Sequence, residues 1–327
     1  MLSRVADNLY WMSRYIERAE GMARMIQVHQ SQALEYAQDD QQIEEFWKPV
    51  LLSICAEDVR PEEGYRKIGK SLIFSTIFSN SIYSCIAHAR ENARMVRDQL
   101  SEELWIELNN IFLFFKNGEA RTEYEHGSDY LLDRIIRFSL VFQGLADATI
   151  PHSEGWRFLS LGKYLERADQ TSRMLDTLNF KTKEPTRADL MSVLRCCTSL
   201  SAFRQQFRGN LSLQNVATFL LFSEDFPRSI RFCVRSIDNS LHSISGVPRG
   251  TFANEAERLT GSTLAMVNFT DWQQVTTKGL HETLDELQST LIKIGQRVFE
   301  TYVLLPSEIQ SLGEKSSAQF IQAQQQQ

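Results

Sequence analysis

The chain has 327 residues, 43% of them hydrophobic and 23% charged, enough to fill a large core. Sparse glycine (15) and proline (7) disfavour a turn-rich all-β protein. A formal net charge of −6 argues against a nucleic-acid binder driven by overall electrostatics.

Apolar residues recur at three- and four-residue spacing along nearly the whole chain, the pattern of amphipathic helices. Leu2, Val5, Leu9, Met12, Ile16, Ala19, Ala23 and Ile26 form one stripe, which predicts a first helix over residues 3–37. Further helices are predicted over 42–57, with Pro49 as a kink or break, over 80–100, and from a Ser101 cap through 115. Residues 118–127 read as a polar loop, followed by a helix over 128–149. A helix capped by Ser153 is predicted to run to residue 180, and the stretch 181–186, with Pro185, reads as a linker. The remaining helices fall at 187–207, 212–223, 227–245, 253–267 and 274–304, with a loop at 246–250. Pro227 suits the first turn of its helix, where a missing N–H is tolerated. No strand pattern occurs. The expected fold is therefore all-α, a bundle of roughly ten helices. We read residues 1–310 as one domain and 311–327 as a polar, glutamine-rich tail.

The chain carries one charged motif twice. Tyr15-Ile16-Glu17-Arg18-Ala19-Glu20, then Arg24-Met25, is matched by Tyr164-Leu165-Glu166-Arg167-Ala168-Asp169, then Arg173-Met174. Residues 8–26 align without gaps to 157–175, with Lys163 opposite Arg14. A fainter echo lies at Ala93-Arg94-Met95. Two related halves, about 1–149 and 150–310, with the motif helices facing one another, would explain the repeat. Glu17, Glu20 and Arg24 share a helix face, as do Glu166, Asp169 and Arg173, so Glu20 can pair with Arg24 four residues on. Charges within apolar patterns need partners. The partners are either each other, in a salt-bridge network, or an anionic ligand in a polar pocket, for which the planar arginine fork is suited.

On the third predicted helix Arg90, Asn92, Arg94 and Arg97 form a polar stripe, read either as solvated surface or as a third wall of that pocket. Arg228, read as lying in the first turn of its helix, opposes the helix dipole, so an acidic neighbour (Glu224 or Asp225) or a bound anion is expected beside it. Glu-x-x-His, the di-metal bundle signature, occurs only at Glu123–His126, within the predicted loop, so no metal is expected. No glycine-rich phosphate loop occurs, and no cofactor is expected. Cys85 and His88 lie in an apolar stretch, where a buried structural thiol is the simpler reading. Five cysteines without a CxxC pair disfavour a disulfide framework and suit a reducing, cytoplasmic compartment. No signal-peptide core precedes the first helix and no apolar run is long enough to span a bilayer, so no membrane association is expected.

The opening Met1-Leu2-Ser3-Arg4-Val5-Ala6-Asp7-Asn8-Leu9-Tyr10-Trp11 and the Tyr15–Glu20 block resemble the bacterial Alpha-E family, an all-helical group named for its Glu-Arg motif. The resemblance continues through Ala89-Arg90-Glu91-Asn92-Ala93-Arg94, Leu161–Asp169 and Phe226-Pro227-Arg228-Ser229, and so spans nearly the whole chain. Lys163 departs from it, since the family tends to have arginine there. Such proteins are typically encoded beside, or fused to, circularly permuted ATP-grasp proteins, often with a transglutaminase-like protease. ATP-grasp enzymes join a carboxylate to an amine through an acyl phosphate. The resemblance implies a non-catalytic partner of such a ligase, binding a peptide-like or anionic substrate in a Glu/Arg-lined site. An enzyme using Glu17 and Glu166 as acid–base groups, and a purely structural scaffold, are the alternatives.

Overall fold

The computed structural model describes residues 3–36, 39–56, 59, 64, 67–180 and 184–304. Among them the chain is helical throughout, with no strand: α1 (Ser3–Tyr36), α2 (Asp40–Ser53), α3 (Ile68–Phe74), α4 (Ile82–Met95), α5 (Glu102–Lys116), α6 (Glu119–His126), α7 (Ser128–Thr149), α8 (Glu154–Asp176), α9 (Arg187–Cys196), α10 (Leu200–Phe207), α11 (Leu213–Phe222), α12 (Ile230–Ser245), α13 (Glu255–Phe269), α14 (Trp272–Lys278) and α15 (Leu280–Tyr302). The glutamine-rich tail and residues 181–183 of the expected linker lie outside the described residues.

Fifteen helices stand where roughly ten were expected among the described residues, and each difference has a local cause. The 118–127 segment is a helix, α6, bounded by Gly118 (φ 87°) and Gly127 (φ 158°) and anchored by buried Ala120. The expected 187–207 helix breaks because Thr198 takes a left-handed φ of 55° and the Ser199 hydroxyl turns back to donate to the Leu194 carbonyl at 2.9 Å. The 274–304 helix breaks at Gly279, where φ is 106°. Short α3 was hidden within an apolar run, with Ile68, Leu72 and Ile73 fully buried. Ser153 provides no side-chain cap, whereas Ser101 accepts the Leu104 N–H at 3.2 Å. Pro49 is accommodated inside α2.

The frame is a central pair, α1 and α8. α1 packs against α4 and α7, and α8 against α12 and α15. Buried residues occur on every side of α8, from Phe158 through Asp176, as expected of a helix enclosed by others. Contacts between α1 and α8 advance together along both helices. Ser13 faces Gly162, and Gln170 lies against Gly21, so the two helices run parallel. A Cβ at Gly162 would fall 2.2 Å from the Tyr10 carbonyl oxygen, so only glycine allows this close approach. The helices that follow recur in order and length: α4 to α7 have 14, 15, 8 and 22 residues, and α12 to α15 have 16, 15, 7 and 23.

Candidate functional site

The two motifs meet at the α1–α8 crossing and exchange partners. Arg18 of α1 grips Glu166 of α8 with its fork, Nε to Oε1 at 2.7 Å and Nη2 to Oε2 at 3.0 Å. Arg167 of α8 donates from Nε to Glu17 Oε1 of α1 at 2.7 Å. The i,i+4 pairs along each helix also form, Arg24 with Glu20 and Arg173 with Asp169, both at 2.8 Å. Glu17 and Glu20 are fully buried and Glu166 is nearly so. Such carboxylates are tolerated only with this density of donors.

Two pre-helix turns complete the cluster, and they differ. Ser81 and Ser229 cap α4 and α12, and their hydroxyls donate to Ser75 and Ser223 carbonyls, each at 2.5 Å. The residue before each cap reaches the motif. Arg228 bridges Glu17 at 2.9 Å and Glu20 at 2.7 Å. Asn80, at the matching place, accepts from Arg18 Nη1 at 2.6 Å. α12 starts at Ile230, so Arg228 precedes the cap and is not in the first turn. The acidic neighbours expected for it are Glu17 and Glu20 of α1, while Glu224 pairs with Arg231 at 2.9 Å.

The two motifs therefore have unequal surroundings. Glu20 also accepts from the Ser139 hydroxyl at 2.9 Å, and Glu17 from the Gln143 amide at 3.2 Å, both on α7. Residues 152 further on, in α15, are Leu291 and Gly295, which offer no polar side chain. Glu166 is satisfied instead by Arg14, whose Nε donates at 2.8 Å and whose Nη1 reaches Tyr10 Oη at 3.1 Å. Arg14 fits beside Gly295, 3.8 Å from where its Cβ would be. Asp169 keeps only Arg173, and its Oδ1 is buried without a donor among the described residues. Lys163, opposite Arg14 in the repeat, pairs with no described carboxylate; its ammonium lies 4.7 Å over the Tyr164 ring.

Electrostatics follow the contacts. Burial would raise the Glu166 carboxyl, but the Arg18 and Arg14 charges and hydrogen bonds outweigh it and hold the group at about 2. Glu20 is lowered, with Arg228 and Arg24 overcoming its desolvation. Lys163 is pulled down to about 8, chiefly by burial and then by Arg167. Cys85 and Cys233, one turn into α4 and α12, are fully buried, and burial pushes both thiols up to about 12. Thiols held in that range stay protonated at neutral pH, and the exposed His88 stacks its ring on Tyr15 at 5.2 Å.

Beside the second motif lies a cavity of about 140 Å³. Arg14, Arg18, Asn80, Glu166, Asp169, Arg173 and Arg228, with Gln170 and Thr171, supply its polar lining, and Met22, Met25, Leu165, Met174 and Leu291 an apolar wall. It runs along α1 from Arg14 to Met25, about 16 Å at the helical rise. Cys55, Cys196 and Cys197 also line it, and Arg173 Nη1 touches Cys55 Sγ at 3.3 Å. Six arginines (14, 18, 24, 167, 173, 228) stand against four carboxylates (17, 20, 166, 169), which leaves two positive charges in excess. Among the described residues, no group of three or more His, Cys, Asp or Glu side chains is arranged to hold a metal ion.

Not every sequence candidate comes to this place. Arg90 donates to Glu91 at 2.5 Å and lies over Trp105 and Phe112, and Arg94 pairs with Glu91 at 2.9 Å in a half-exposed position. Asn92 does not line the cavity. The reason is helical phase. α4 turns Ile82, Cys85, Ile86, Ala89 and Ala93 inward, which puts Arg90 and Arg94 on its outer flank. Asn80, Ser139, Gln143 and Gln170 were missed. Only Asn80 had a signal, the likeness of Phe78-Ser79-Asn80-Ser81 to Phe226-Pro227-Arg228-Ser229.

Among the described residues no helix is long and apolar enough to cross a membrane. The chain is 24% identical over 337 residues to uncharacterized proteins of Mycobacterium bovis and Mycobacterium tuberculosis. The match takes in 94% of this chain but only 38% of the length of those relatives. No solved structure matches it. Residues 1–303 match the model of a family described as a predicted alpha-helical domain with a conserved ER motif. With that match over nearly the whole described fold, the chain belongs to the Alpha-E family.

Proposed function

We propose that this chain is a non-catalytic helical partner of an ATP-grasp amide ligase, and that its cavity positions an anionic, peptide-like substrate for that enzyme. The observation that carries this reading is the charge balance of the cluster. Six guanidiniums against four carboxylates, with Arg14, Arg18 and Arg228 on the cavity lining, favour a ligand bearing carboxylate or phosphate. A ligase that activates carboxylates needs its anionic substrate held and desolvated, which is chemistry this lining can supply. The ATP-grasp partner itself, circularly permuted and accompanied in some settings by a transglutaminase-like protease, comes from the family resemblance. The long relatives, in which this domain fills 38% of the chain, are consistent with a partner that can also be fused.

Glu166 is poorly suited to acid–base work, because both its oxygens are engaged by arginines and its carboxyl is held at about 2. The exchanged pairs favour one other reading, a network that only locks α1 to α8. We further propose that 1–149 and 150–310 are duplicated halves, on the recurrence of helix order and of the two serine-capped turns. Five free thiols suit work in the cytoplasm. The test is to co-purify the chain with the neighbouring ATP-grasp protein and assay amide ligation with and without it. The reading expects stimulation that Arg18→Gln abolishes in a folded protein. Ligation indifferent to the chain would leave the locking network as the account.

A further inference from the structure

Resting on that reading, we infer that the cavity recognises the C-terminal residue of a peptide, with its carboxylate on the arginines and its backbone N–H on Asp169. The comparison of the two motifs carries this. At the first motif Glu20 is closed off from within, by Arg24, Arg228 and Ser139. At the second, Asn80 stands in the place of Arg228 and Leu291 in that of Ser139, so Asp169 has lost both donors. Its Oδ1 is buried, has no donor among the described residues, and belongs to a residue on the cavity wall. A buried acceptor left unmade is costly, so this position calls for a ligand that donates.

The donor and the anion lie close together. Asp169 is three residues, about 4.5 Å of rise, along α8 from Glu166, where Arg14 and Arg18 converge. A guanidinium has five N–H donors, and Arg14 and Arg18 give only some of theirs to Glu166, Tyr10 and Asn80. A carboxylate and a nitrogen separated by one carbon, each adding a hydrogen-bond length, can bridge groups held by side chains three residues apart on one helix face. A single carboxylate offsets part of the positive excess, and a neutral amide N–H serves Asp169 without restoring it, which favours a peptide end over a free amino acid. The apolar wall of Met22, Met25, Met174 and Leu291 then takes an aliphatic side chain, in a space comparable to one that holds a benzene-sized group.

The test is calorimetric titration of the full chain with three probes: N-acetyl-L-leucine, its ester analogue 2-acetoxy-4-methylpentanoate, and L-leucine. The amide probe is expected to bind roughly tenfold or more tighter than the ester, which keeps the shape and lacks the N–H. It is also expected to bind more tightly than L-leucine. Asp169→Asn, confirmed folded by its melting curve, keeps its one oxygen on Arg173 and turns an N–H donor to the place of Oδ1, so it should bring the affinities of amide and ester together. Equal binding of amide and ester by the wild type, or a preference that survives Asp169→Asn, overturns this inference and leaves the anion site standing. Tighter binding of L-leucine overturns the choice of a peptide end. If none of the three binds, the anion reading fails together with this one.

Discussion

Glu20 and Asp169 hold the same place in two copies of one motif, yet one is sealed and the other is open. Glu20 collects two guanidiniums and a hydroxyl, from α1, from the turn before α12 and from α7. Asp169 has one guanidinium on its own helix and an orphaned oxygen on a cavity wall. The same short sequence thus meets two different surroundings, and the neighbours decide which carboxylate is satisfied. Where α7 offers serine and glutamine, the charges are consumed internally; where α15 offers leucine and glycine, space and an unmet acceptor remain. A repeat that kept identical surroundings would give two locks or two pockets. This one gives one of each.

The comparison breaks most sharply on stability. Glu20→Gln strands Arg228 and Arg24 in the interior and should cost roughly 3–5 kcal/mol in urea unfolding, whereas Asp169→Asn weakens the hold on Arg173 alone, beside a cavity, and should cost roughly 1–3 kcal/mol. Equal losses would end the distinction between the two copies. Acid unfolding comes next. The folded Glu166 carboxyl sits near 2, below its ordinary 4.5, so its contribution is complete above about pH 4.5 and is lost as the pH falls toward 2. Stability measured across that window should fall by about 3 kcal/mol from this group, and Glu166→Gln should flatten the fall.

Lys163 sharpens the contrast with Arg14. Its folded value of about 8 lies below the ordinary 10.5, so the native state binds fewer protons between those values and stability rises with pH through that range. Below pH 8 the buried ammonium is a burden. Lys163→Met should therefore stabilise the fold by about 1–3 kcal/mol at pH 7, with the gain vanishing near pH 10.5 in paired melting curves. Arg14→Met should instead destabilise, because it strips a donor from Glu166. The smallest effect belongs to Arg94→Ala, a half-exposed pair away from the cluster, which should change stability by about 0.5 kcal/mol or less.

Much of the site was legible in the chain because it is local. The i,i+4 pairs of Glu20 with Arg24 and of Asp169 with Arg173 follow from helical spacing alone. The helices themselves follow from apolar periodicity, except where one residue overrides it, as Thr198 and Gly279 do by taking positive φ. The contacts of Arg228, Asn80, Ser139 and Gln143 were not legible, since they join residues 62 to 208 positions apart. Arg90 shows the converse. Its motif-like surroundings suggested a pocket wall, but the phase of α4 turned it toward Trp105 and Phe112.

By itself the sequence determined an all-helical chain with one Glu-Arg motif written twice, because periodicity and repetition are properties of neighbouring residues. Only the tertiary structure decided that the motif helices run parallel and exchange their arginines, that Gly162 lets them approach, and that Arg228 and Asn80 make the copies unequal. The physical reason is that a buried carboxylate must be satisfied by whatever donors the fold brings near, and a linear pattern does not record which distant turn will supply them.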